Sequence, residues 1–140
     1  MRVIEATPVS GLPHPNEKAQ QIVTRWLETV KGGDPQKVSD LYAKRAVLMG
    51  TVAQHVKQGR SVIKTYFDAF LKKRPVGFIN SMIFQELGGS HAVADGNYTF
   101  ELDGKDGRVR VPARFTFVID LNTGLIMTHH SSSNPETTSI

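Results

Sequence analysis

The chain has no cysteine. That excludes a disulfide framework, any thiolate metal site and thiol redox chemistry, while leaving the compartment open. Long apolar runs are missing as well. The N-terminal "MRVIEATPVSGLPHP" holds three prolines and nothing of signal-peptide length, and no later segment approaches a membrane span. The expectation is a soluble protein without a membrane partner, cytoplasmic by default, or periplasmic if a signal peptide has been removed from it. Neither Gly-x-Gly-x-x-Gly nor the P-loop pattern occurs, so no nucleotide cofactor is expected. The net charge of +4 comes from 17 basic and 13 acidic residues. Its one dense basic run, "LKKRP" (71–75), falls at a predicted helix end, where cations complement the helix dipole. Without interleaved aromatic residues, it does not describe a nucleic-acid surface.

What is present is an ordinary globular composition. At 140 residues, 39% hydrophobic and 21% charged, the chain has room for one domain with a single core. That domain is expected over 15–136, after a flexible N-terminal segment at 1–14 and before a frayed tail at 137–140. Ile22, Val23, Trp26, Leu27 and Val30 recur at helical spacing, with Asn16 as candidate cap and Gly32-Gly33 as stop. Asp34-Pro35 reads as an N-cap with proline at the first helical position, opening a short second helix with Val38, Leu41 and Tyr42 on its apolar face. Residues 46–52 read as a strand broken by Gly50. Val62, Ile63, Tyr66, Phe67, Phe70 and Leu71 mark a third helix that stops before Pro75.

The second half changes to the rhythm of an antiparallel meander. Segments 76–87, 91–102, 108–120 and 125–132 are separated by "GGS", "DGKDG" and "LNTG". Helices first and strands afterwards predict an α+β fold, with helices on one face of a curved sheet. In "RVRVPARFTFVID" residues Val109, Val111, Ala113, Phe115, Phe117 and Ile119 share one face. Arg108, Arg110, Pro112, Arg114, Thr116 and Val118 share the other. Pro112 cannot donate to a ladder, which predicts a bulge or an unpaired position there.

The candidate chemistry lies in "THHSSSNPE" (128–136). On a strand His129 and Ser131 point one way, and His130 and Ser132 the other, so the histidine pair cannot clamp a metal. The remaining histidines, His14, His55 and His91, show no ligand-like spacing, and no metal site is expected. His129 with Ser131 can form a polar pair in a pocket, with imidazole relaying a proton, or can be two satisfied side chains at a strand end. Arg114 reads equally as an ion-pair partner, Tyr66 as core, and Thr51 as an ordinary strand residue. There is no Gly-x-Ser-x-Gly elbow, no third triad member and no oxyanion turn, which argues against a serine hydrolase.

The runs "LYAKRAVLMGTV", "YFDAFLKKRPVG", "DGNYTFEL", "ARFTFVID" and "THHSSSNPE" together resemble the association-domain branch of the nuclear transport factor 2-like superfamily, over about residues 18–136. Within it the chain is most similar to iota-class carbonic anhydrases, and more distantly to the hub domains of calcium/calmodulin-dependent protein kinase II. The resemblance implies a cone: N-terminal helices against a strongly curved antiparallel sheet, with a pocket at the wide end. It also implies metal-free interconversion of CO2 and bicarbonate, or binding of another small anion. Thr51, Tyr66, His129 and Ser131 would be catalytic, and Arg114 and His130 substrate-binding. Relatives commonly carry proline where this chain has Gly50, and a different frame where it has Ser133-Asn134-Pro135.

Two other functions fit the same resemblance. One is a non-enzymatic hub that self-associates as a homodimer or higher ring, for which the apolar face through Phe115 and Phe117 could serve if the helices cover the other face. The other is a small-molecule or isomerase-like pocket, whose acidic base would have to be Asp68 or Asp95.

Overall fold

The computed structural model describes residues 2–3 and 15–135. The segments expected to be flexible or frayed fall mostly outside these, although Arg2–Val3 forms a short edge strand, β1. Helices α1 (Pro15–Gly32), α2 (Pro35–Ser39) and α3 (Arg60–Phe70) surround the short strands β2 (Tyr42–Met49) and β3 (Lys57–Gln58). The long strands β4 (Val76–Leu87), β5 (His91–Gly104), β6 (Gly107–Asp120) and β7 (Leu125–Ser133) follow. All seven strands form one sheet in the order β1-β4-β5-β6-β7-β2-β3. Every pairing is antiparallel except β2 with β7. The fold is α+β, with helices packed on the concave face of a curved sheet. No described helix is long and apolar enough to cross a membrane.

The helix α1 buries Ala19, Val23, Trp26 and Val30, one stripe at spacings of four and three. Asn16 is not its cap: Pro15 already lies in the first turn, and Asn16 is a buried residue inside the helix. Gly33, at φ +80°, closes the C-terminal end by donating its N–H to the Val30 carbonyl. Asp34 does cap α2, accepting from the Gln36 and Lys37 N–H groups. That helix is shorter than its apolar spacing suggests. It ends at Ser39, so Tyr42 opens β2 rather than extending the helical face.

Bulges give the sheet its curvature. Asn80 is extra in β4 opposite Tyr98 and Asn97, and Met127 is extra in β7 opposite Val118 and Ile119. The Met127 bulge decides which way the last strand faces. Ile126 and His129 are both fully buried although three residues apart, a parity that a regular strand forbids. Pro112 causes no bulge, since β5 and β6 run in continuous register past it. Its carbonyl accepts from the Asn134 N–H, so its missing N–H faces the point where β7 has ended.

Phe115 and Phe117 lie inside. Both are buried, and Phe117 meets the Trp26 ring edge-on at 5.4 Å. The helices cover this very face, so it is not available for assembly. Around Arg114 the outer face is polar: Asp95 accepts from the Thr116 hydroxyl across β5 and β6, and Arg114 stands exposed beside them.

Candidate functional site

The single tryptophan, all three tyrosines and His129 converge at one place in the core. Trp26 projects from the middle of α1 and donates its indole N–H to the Tyr42 hydroxyl at 3.0 Å. Tyr42 Oη lies 2.8 Å from His129 Nδ1. On the other side of the imidazole, Nε2 lies 3.2 Å from Tyr98 Oη. Tyr98 donates to Ser131 Oγ at 2.6 Å, and Ser131 is hydrogen-bonded to Thr51 Oγ1. The imidazole is held flat against Phe117, ring centroids 3.9 Å apart, and edge-on to Trp26.

Local structure explains each placement. The bulge at Met127 turns His129 and Ser131 inward together. Thr51 follows β2 in a turn closed by Ala53 N–H on the Gly50 carbonyl. Tyr66 comes from α3, one turn before the stacked Phe70 ring at 5.6 Å, and lies directly on Gly50. A Cβ at residue 50 would stand 2.3 Å from Tyr66 Cε1, so the absent side chain is what admits the ring.

These groups enclose a cavity of about 10 Å³, room for one water molecule, lined by Thr51, Tyr66, His129 and Ser131 over an aromatic floor. A second chamber of about 100 Å³ shares Thr51, Phe70 and Phe100 with it and is walled by Val52, Leu102 and Val111, with Lys73 among its lining residues. The polar cradle therefore adjoins an apolar antechamber.

The site is uncharged near neutral pH. Burial, and secondarily the neighbouring His130, push His129 down to about 3, so its imidazole is neutral. Burial pushes Tyr66 up to about 12, against the opposing effect of hydrogen bonds from the backbone N–H groups of Val52 and Thr51 and from the Thr51 side chain. Tyr42 and Tyr98 are likewise raised, first by burial. All three phenols keep their protons.

Of the six residues singled out in the sequence, the structure brings together Thr51, Tyr66, His129 and Ser131. It does not bring Arg114 or His130 to them. Strand alternation puts both on the outer face, where with Phe115, Thr116 and Ser132 they line a shallow hollow of about 200 Å³. The acidic candidates also lie elsewhere: Asp68 pairs with Lys64 at 3.1 Å on the surface, and Asp95 is on the outer face. Among the described residues no three His, Cys, Asp or Glu side chains gather as a metal site requires. Sequence reasoning missed Trp26, Tyr42 and Tyr98. The available signal was composition: of one tryptophan and three tyrosines, the chain has placed Trp26, Tyr42 and Tyr98 against one histidine and Tyr66 in the same cavity lining.

The model of the calcium/calmodulin dependent protein kinase II association domain matches residues 16–135, nearly the whole described chain. The chain belongs to this family. A solved structure described as such an association domain, from Xanthomonas campestris, shares 36% identity at a TM-score of 0.83, covering 98% of this chain and 99% of that one. More remote likenesses show the fold alone. One is SalBIII, an epoxide hydrolase/cyclase-like enzyme in salinomycin pyran ring formation, with 17% identity, TM-score 0.72 and coverage of 86% and 93%. Another is an NTF2-like protein with a cystatin-like fold from Novosphingobium aromaticivorans, with 12% identity, TM-score 0.71 and coverage of 87% and 83%. No curated protein matches. The association-domain family thus sits here on a nuclear transport factor 2-like, cystatin-like fold.

Proposed function

We propose that this association domain carries a metal-free site interconverting CO2 and bicarbonate, similar to that of iota-class carbonic anhydrases. The observation that carries the reading is the pairing of two neighbouring chambers that share Thr51, Phe70 and Phe100: a cradle for one water with hydroxyls in its wall, and an apolar space of about 100 Å³ suited to CO2. No group in the cradle is a base near neutral pH, so the step is a neutral proton relay. The water oxygen attacks the CO2 carbon and passes one proton to Thr51 Oγ1. Thr51 passes its own proton through the Tyr66 hydroxyl to a CO2 oxygen. One C–O σ bond and one O–H bond form, one O–H bond and one C=O π bond break, the π electron pair taking the relayed proton, and the hydroxyls are restored. Carbonic acid leaves and ionises to bicarbonate in solvent. The catalytic effect is positioning and preorganised hydrogen bonding rather than Lewis acidity. Ser131 and His129 hold Thr51 in place; Arg114 and His130 have no part in this step. Exchange of 18O between CO2 and water tests it: Thr51→Val and Ser131→Ala should each abolish the exchange that the parent protein supports, and exchange unaffected in both would refute it.

A second reading, a self-associating scaffold, is favoured by the family match itself. Assembly would use the outer surface, since Phe115 and Phe117 are covered. Light scattering decides it: a dimer or ring supports this role, and a monomer at all concentrations refutes it. The two roles are compatible on one chain.

A further inference from the structure

The hydrogen bonds around His129 have a direction, and Trp26, at the far end of the chain of bonds from Thr51, sets it. An indole N–H can only donate. Trp26 therefore gives its proton to the Tyr42 oxygen, and the fully buried Tyr42 hydroxyl has His129 Nδ1 as its second partner. If Tyr42 accepted from both neighbours, its own proton would be left unpaired in the core, which is costly. Tyr42 thus donates to Nδ1. A neutral imidazole then carries its proton on Nε2, which points at the Tyr98 oxygen. Tyr98 donates onward to Ser131. Ser131, having accepted, gives its proton to Thr51, and Thr51 turns its own toward the Tyr66 oxygen, beside which the Thr51 and Val52 backbone also lies. Tyr66 is left with one free proton, at the cavity. Each bond polarises the next in the same sense.

We infer that Trp26 is a positioning residue which, through Tyr42, locks His129 as the Nε2–H tautomer and turns the whole chain so that the cavity meets its ligand as a hydrogen-bond donor. The pocket selects an electron-rich oxygen, an oxyanion or carbonyl, with no Lys or Arg among the residues lining the small cavity. Reversing the chain would require every proton in it to shift at once, and the indole forbids the first shift. The inference deepens the CO2/bicarbonate reading by naming what faces the ligand oxygen, but the tautomer stands without any turnover.

Because the chain has one tryptophan, replacing tryptophan by 3-benzothienylalanine during expression changes this position alone. Sulfur takes the place of the N–H and the ring shape is kept. Nitrogen-15 NMR of labelled histidine reads the tautomer, and a titration with 13C-bicarbonate reads binding. In the parent protein His129 should show a pyridine-like Nδ1 and a protonated Nε2. In the substituted protein, with circular dichroism unchanged, the tautomers should mix and bicarbonate affinity should fall about fivefold, the equivalent of one net hydrogen bond. Tyr42→Phe should produce the same mixing. A parent His129 protonated at Nδ1, or a tautomer indifferent to both changes, overturns the inference. The predicted tautomer behaviour in a protein that binds no bicarbonate upholds the inference and removes the CO2 reading instead.

Discussion

Gly50→Ala is a one-methyl change with an unusually large local effect. The new Cβ would meet Tyr66 Cε1 at 2.3 Å, Cζ at 2.5 Å and Oη at 2.9 Å, against an ordinary contact distance of 3.4 Å or more. The ring must retreat by about 1 Å. It has little room, being stacked on Phe70 at 5.6 Å and wedged edge-on against Phe67 at 5.1 Å. Overpacking of this kind costs about 1–3 kcal/mol. At this chain length that is a fall in Tm of roughly 3–5 °C per kcal/mol. The retreat also withdraws the Tyr66 hydroxyl from Thr51, so CO2/water exchange should fall with stability. Thermal and urea denaturation supply the stability change, and a double-mutant cycle with Tyr66→Leu isolates its cause. In the Tyr66→Leu background the cost of the alanine should largely disappear. A Gly50→Ala protein as stable as its parent, or a penalty that persists without the tyrosine, would refute the steric argument.

Three further outcomes follow from the geometry. His129 has a folded-state pKa of about 3, below the unfolded value, so the unfolded chain binds more protons between the two, and stability is lost as pH falls below about 6.5. The loss should reach about 2–3 kcal/mol by about pH 4.5, seen in urea titrations, and His129→Gln should flatten the slope. Arg114→Ala, on the outer face, should leave CO2/water exchange unchanged in the 18O assay; a large loss would mean that its charge reaches the cavity after all. Removing the cap with Asp34→Ala should cost about 1 kcal/mol in urea denaturation, with exchange activity retained.

Much of the architecture was legible because its signals are local. The stripe through Val23, Trp26 and Val30, the Asp34-Pro35 start and the glycine-rich turns each follow from spacing or backbone chemistry. The alternation that pairs His129 with Ser131 was legible for the same reason. What could not be read depends on partners far away in sequence. Tyr42 completes a helical pattern, yet parallel pairing of β2 with β7 claims it for a strand. Pro112 signals a bulge, but whether its missing N–H matters depends on where β7 ends. Phe115 and Phe117 form an apolar face in either orientation, and only the docking of α1 decides which side is covered. The same holds for the relay. Its members come from α1, β2 and the turn after it, α3, β5 and β7, and no sequence spacing links Trp26 to His129 across the core.

The most direct test of the central claim is CO2 hydration by stopped flow, on protein stripped with chelator, across pH 5 to 9. With His129 neutral above about 3 and Tyr66 protonated below about 12, no relay group titrates in that window. The account predicts hydration above the buffer rate that survives chelation, varies little with pH, and disappears in Ser131→Ala. Hydration at the buffer rate, or activity that leaves with the metal, would contradict it.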